Sequence, residues 1–106
     1  MTIIQIEGKT EWKVSRTHSG QLLGICESLG LTVESDTWAN LMEDIAQTLD
    51  AMLHDLSRSG DFERFLYDRG WHLSRGPTGP SADDVWYDVP FTTRTSERDS
   101  EVALRQ

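Results

Sequence analysis

The stretch from Gly20 to Leu56, GQLLGICESLGLTVESDTWANLMEDIAQTLDAMLHDL, decides the fold. It opens on the apolar run QLLGICESL, the pattern of a strand covered on both faces in the middle of a sheet. Gly24 leaves a thin spot in that strand where another element can pack closely. Leu29-Gly30-Leu31 ends the run, and TVES continues as a short extended piece. A helix then starts abruptly. The Thr37 hydroxyl is placed to accept the free N–H of Asn40, and Asp36 sets negative charge beside the positive end of the helix dipole. Trp38, Leu41, Ile45, Leu49, Met52 and Leu56 recur at steps of three or four, one apolar stripe along a helix of about 20 residues. Ala46 and Leu53 widen the stripe, while Glu43, Asp44, Gln47, Asp50, His54 and Asp55 fall mostly on the other side. Ser59-Gly60 ends the helix, since a Gly just past the last apolar position provides the usual stop.

Charge follows the same segment. The chain carries a formal net charge of −8, and between Thr17 and Ser57 there are seven acids, Glu27, Glu34, Asp36, Glu43, Asp44, Asp50 and Asp55, against no Lys or Arg. Such a surface repels phosphate, so direct nucleic-acid binding, which depends on clustered cations, is not expected. A basic protein partner suits it, because complementary fields speed encounter. A solvated acidic face with no partner is the plain alternative.

Working outward, TIIQIE and EWKVSR flank Gly8-Lys9 and predict two strands joined by a tight turn, with Ile4, Ile6, Trp12 and Val14 facing the core. His18-Ser19-Gly20 predicts another reversal. Beyond Gly60 the spacing predicts a short helix from Asp61 to Arg69, with Asp61 as N-cap, Phe62, Phe65 and Leu66 inward, and Gly70 as the stop. WHLSR and VWYDVPF flank GPTGPSADD, whose prolines and glycines interrupt regular structure, so a wide C-terminal hairpin is expected. Alternation puts Trp86 on one face and Val85, Tyr87, Val89 and Phe91 on the other. Exposed Trp and Tyr are favoured as interface anchors, and an aromatic strand at a sheet end suits edge pairing. The partner-contacting candidates are therefore Glu43, Asp44 and Asp50 on the helix, with Trp71, Trp86, Tyr87 and Phe91 after it. The expected class is α+β: a small antiparallel sheet of three N-terminal strands, a long amphipathic helix on it, a short helix, then the hairpin. One domain is expected over residues 1–91, followed by a flexible polar tail, 92–106, in which SEVALRQ can form a short helix on a partner.

At 106 residues the chain has room for one modest core, burying roughly two thirds of the unfolded surface, with no need of a staple. Its apolar runs are far short of the roughly 20 residues that cross a bilayer, and MTIIQIEGKTEWK has no secretory pattern, so a cytoplasmic protein away from membranes is expected. The single cysteine, Cys26, rules out an internal disulfide, and its place in LLGIC predicts a buried thiol rather than a nucleophile.

The run SGQLLGICESLGLTVESDTWANLMEDIAQTLDAML resembles the HicB-type antitoxin pattern. It shares a Gly-initiated strand, an apolar run ending near Leu-Gly, a short strand, and an acid-Thr pair opening a helix along which Glu and Ala recur. The resemblance covers about residues 11–56 and rests on pattern and spacing. Where the family commonly has a proline ahead of the Leu-Gly and a Glu-Ala pair early in the helix, this chain has Glu27-Ser28 and Ala39-Asn40. The resemblance implies a partial RNase H-like fold, three antiparallel strands with a helix across one face, that masks a small RNA-cleaving toxin. Family members often carry a C-terminal DNA-binding module. The residues after Trp71 predict strands and a polar tail instead, so direct operator binding is not expected. Dimerisation through the sheet edge or the hairpin is left open.

An RNase H-like outline prompts a search for paired carboxylates that hold divalent ions. The early strands offer only Glu7 and Glu11, both near turns, while Asp83, Asp84 and Asp88, with Glu43 or Asp44, are the alternative cluster; Asp-Asp in a Pro/Gly loop is ordinary turn chemistry. His18, His54 and His72 have no metal-ligand spacing, no Ser-His-Asp or Cys-His arrangement is proposed, and Gly70, Gly76 and Gly79 form no phosphate loop. The sequence therefore predicts no catalysis, metal or cofactor. Besides the antitoxin-like inhibitor of a small basic toxin, two readings remain. One is an acidic phage or mobile-element protein filling a nucleic-acid channel of a larger complex. The other is a metal-dependent nuclease using Asp83 and Asp84.

Overall fold

A computed structural model describes residues 2–75 and 85–95. The fold is α+β, with a long helix packed on strands, a short helix after it and strands toward the C-terminus. In chain order the elements are β1 (Thr2–Glu7), β2 (Thr10–Arg16), β3 (Leu22–Cys26), β4 (Leu31–Ser35), α1 (Trp38–Ser59), α2 (Phe62–Arg69), β5 (His72–Arg75), β6 (Val85–Asp88) and β7 (Phe91–Thr95). The loop 76–84 and the expected helix at SEVALRQ lie outside the described residues.

The expected single body over residues 1–91 divides into two compact units. The first holds β1, α1 from Ala46 onward, α2, β5 and β6; the second holds β2, β3, β4, α1 through Ile45, and β7. Each has its own sheet, ordered β5-β1-β6 in the first and β4-β3-β2-β7 in the second.

This pairing corrects four expectations. TIIQIE and EWKVSR do form strands, but β1 and β2 belong to different sheets, so Gly8-Lys9 is not a hairpin turn. The antiparallel set of three is β2-β3-β4, not the first three strands. Gly8 has a different purpose: a Cβ added there would lie 2.5 to 2.7 Å from the Trp71 ring, so only a hydrogen leaves room for the indole. β5 and β6 likewise form no hairpin. They flank β1 on opposite sides, β5 antiparallel and β6 parallel to it. After β6 the chain enters the second sheet as β7, parallel to β2, and runs past the expected body limit at Phe91 to Thr95. Thr92 to Thr95, expected in the polar tail, are therefore sheet residues.

In the second unit the central position of β3 is as its apolar run suggests, between β2 and β4. Leu22 and Cys26 are buried, together with Trp12 and Val14 of β2 and Leu41 and Ile45 of α1. A Cβ at Gly24 would meet Leu41, Trp12 and Ile45 at 3.5 to 3.7 Å, which places the first turns of α1 directly over β3. Two buried polar groups in this core are satisfied: the Trp12 indole N–H donates to Thr10 Oγ1 at 2.8 Å, and Ser35 Oγ donates to Asp44 Oδ2. The cap is as the spacing predicts, with the Asn40 N–H donating to Thr37 Oγ1 at 3.1 Å. Trp38 departs from the stripe: it stands before the first full turn and is 41% exposed, whereas Leu41 is sealed.

In the first unit Leu49 and Leu53 continue the buried stripe, joined by Ile6, Leu66, Trp71, Tyr87 and Val89. Both helices end the same way. Gly60 and Gly70 take positive φ, and the N–H one residue further donates back to Leu56 O and Leu66 O, satisfying carbonyls the helix leaves free. Asp61 stands at the N-cap of α2 but makes no side-chain cap bond; its carboxylate accepts from Ser59 Oγ at 3.0 Å instead.

Candidate functional site

In its sheet β6 is an edge strand, and the edge turned away from β1 carries backbone groups that need partners. Two side chains of α1 supply them. Asp50 Oδ1 accepts the Tyr87 N–H at 2.8 Å, and His54 Nε2 lies 2.9 Å from Val85 O. A carbonyl only accepts, so Nε2 carries the proton, and it also lies 3.2 Å from Asp50 Oδ1. The match is geometric. In a strand the C=O of one residue and the N–H two residues on point the same way, while residues four apart on a helix share a face. Asp50 and His54 thus occupy the place of a neighbouring strand.

Aromatic packing closes around the same point. The Tyr87 ring meets His54 edge-on with centroids 4.9 Å apart and Phe62 at 5.3 Å. Nearby, Trp71 lies against Gly8 and meets Phe65 edge-on at 5.5 Å, and the Arg69 guanidinium sits 4.0 Å over the other ring of that pair, Phe65.

The residues singled out as partner contacts therefore separate. Asp50 is tied to the β6 backbone, and Trp71 and Tyr87 are buried, so these three serve the fold. Asp44 is half-buried and bonded to Ser35. Phe91 is half-buried, opposite Thr10 in the β2–β7 register and on its inward face. Trp86 is half-buried on the opposite face of its strand from Tyr87, and Glu43 is exposed on α1. Of the seven candidates Glu43 alone is exposed, and Trp86 is covered to the same degree as Asp44 and Phe91. Ile3, read only as part of a strand, is 55% exposed and lies opposite Trp86.

The acidic segment is only partly compensated. Glu27 pairs with Lys13 at 2.9 Å and Asp55 with Arg58, both pairs well exposed. Asp36 accepts from Asn40 Nδ2 at 2.8 Å, and Glu34 is exposed on β4. Cys26 is fully buried, with Sγ 3.5 Å from Ser28 Oγ, the place of a packing thiol. Among the described residues no group of three or more His, Cys, Asp and Glu is arranged to hold a metal ion, and no helix is long and apolar enough to cross a membrane. Asp83 and Asp84 lie outside the described residues. Comparison with protein-family models, curated proteins and solved structures finds no match.

Proposed function

We propose that the chain is a HicB-like inhibitor, a cytoplasmic antitoxin that binds a small basic RNA-cleaving protein and masks its active surface. One observation carries the reading. The segment that resembles the family forms three antiparallel strands, β2, β3 and β4, with the first turns of α1 across them, and Glu34, Asp36 and Glu43 stand exposed on this unit with no Lys or Arg within residues 17–57. A folded acidic surface of this kind attracts a cationic nuclease and competes with its RNA substrate for the same charges. The inhibitor acts by covering, so it needs no catalytic group of its own. The test is RNA cleavage by the purified product of a neighbouring gene that encodes a small basic protein. Addition of this chain abolishes cleavage at a stoichiometric ratio; undiminished cleavage at excess inhibitor contradicts the proposal.

A further inference from the structure

The two sheets treat their edges differently. The outer edge of β6 is closed by Asp50 and His54, whereas β4 is an edge strand of the other sheet and, among the described residues, no hydrogen bond reaches its backbone from the outer side. Alternate residues of Leu31–Ser35 therefore turn N–H and C=O groups outward. The strand has no Lys, no Pro and no bulge to protect that edge, and its register with β3 is unbroken from Leu22↔Ser35 to Cys26↔Leu31. Its core face is unfinished too. Leu31 and Val33 are half-buried there, while Leu22, Gly24 and Cys26 of the adjoining β3 are buried. Thr32 and Glu34, on the opposite face, are exposed.

Charge is divided across the same sheet. Among the described residues its cations are Lys13 and Arg16 on β2 and Arg94 on β7, two or three strands from the β4 edge, which is about 10 Å or more at the usual strand spacing. Lys13 is held by Glu27, Arg16 donates to Gly20 O, and Glu11 shares β2 with them. The charged groups beside β4 are acids: Glu34 on the strand, Asp36 just past it, and Asp44, which accepts from Ser35 at the strand end.

We infer that an extended basic segment of the nuclease joins this sheet as an added strand on β4. Its main chain bonds to the outward groups of β4, an apolar side chain lies beside Leu31 and Val33, and a Lys or Arg on the alternate face pairs with Glu34. The inference rests on the inhibitor reading and names the element that does the binding. Charge and closure select the occupant. An antiparallel β4–β4 pair of two copies centred on Val33 sets their Glu34 residues diagonal to each other, about 7–8 Å apart, where like charges repel. Pairing β4 with β7 of another copy matches Glu34 with Arg94 but leaves a free edge at each end, so it grows an open fibre. A basic strand from a different protein neutralises Glu34 and closes at one to one.

The test is a 15N–1H titration of the full chain with a synthetic peptide of alternating Val and Lys. One control peptide carries Glu in place of Lys. Another keeps the Val and Lys side chains but has its main-chain amides N-methylated, which removes strand pairing. The Lys peptide shifts the Thr32, Val33 and Glu34 amides and slows their hydrogen exchange, and neither control does. Glu34→Lys and the milder Glu34→Gln, both at an exposed position, weaken binding, the former by more than about tenfold. Equal binding of the N-methylated peptide, equal affinity for the Glu34→Lys chain, shifts that gather on other elements, or no binding at all overturn the inference. So does concentration-dependent association of the chain alone that Glu34→Lys abolishes, the sign of a second copy on β4. Neutralisation of RNA cleavage is read separately. A Glu34→Lys chain that still neutralises its nuclease overturns this edge and leaves the inhibitor reading standing. A wild-type chain that takes the Lys peptide on β4 but neutralises no nuclease overturns that reading and leaves the edge.

Discussion

Asp50 Oδ1 accepts the backbone N–H of Tyr87 at 2.8 Å, joining residues 37 apart in sequence and tying α1 to the outer edge of β6. The carboxylate is largely buried, with 15% of the side chain exposed. Replacing it by Ala leaves the Tyr87 N–H without its acceptor, and a buried donor left unsatisfied costs about 1–3 kcal/mol. Asp50→Asn keeps a carbonyl oxygen at that position and costs less. Urea denaturation of the two variants measures the order, and amide exchange at Tyr87 accelerates in Asp50→Ala before global unfolding.

Gly8 and Gly24 respond oppositely to the same substitution. Gly8→Ala drives a methyl to within 2.5 Å of the Trp71 ring, and overpacking of this kind costs about 1–3 kcal/mol. At Gly24 a methyl meets Leu41, Trp12 and Ile45 at ordinary contact distances of 3.5 Å or more. Gly24→Ala is therefore close to neutral, or stabilising by up to about 1 kcal/mol through the unfolded state. Midpoints of thermal or urea unfolding decide both.

At the start of α1, Thr37→Ala removes the acceptor of the Asn40 N–H and costs about 1 kcal/mol. Trp38→Gln, one residue on, costs about 1 kcal/mol or less because the indole is 41% exposed. Leu41→Ala, by contrast, costs about 2–5 kcal/mol, since that side chain is fully buried. If Trp38→Gln destabilises as strongly as Leu41→Ala, the start of the buried stripe is misplaced.

These contrasts show which parts of the molecule can be seen in the chain. The element types are written locally: the 3.6-residue stripe through Leu41, Ile45 and Leu49, the Thr37 cap, the Gly60 and Gly70 stops, and the alternation of Trp12 and Val14. Pairing is not local. Gly8-Lys9 has the composition of a tight turn, yet the small residue is there to admit an indole from position 71. The β1–β6 and β2–β7 ladders join opposite ends of the chain, where no short-range pattern records them. TTRT has the polarity of a tail because β7 is an edge strand with mostly exposed side chains; its β-branched threonines were the available signal. For the candidate site, aromatic character alone does not separate Trp71 and Tyr87, which fill the core, from Trp86, which is half-buried on the other face of its strand. A helix wheel places Asp50 among the surface charges because it shows no sheet edge beside it, and an Asp and a His four residues apart are the visible hint.

Cys26 is a free thiol, fully buried. A water-soluble disulfide reagent labels it slowly in the native chain and rapidly once urea unfolds the protein. Fast native labelling would place the thiol at the surface and reopen a nucleophilic role.

Inhibition of a small basic nuclease is read out in growing cells. A gene for a small basic protein found beside this one is expressed from an inducible promoter, with and without this chain. That gene alone arrests growth, and co-expression of the chain restores it. A neighbour that does not arrest growth, or arrest that persists with the chain present and folded, contradicts it.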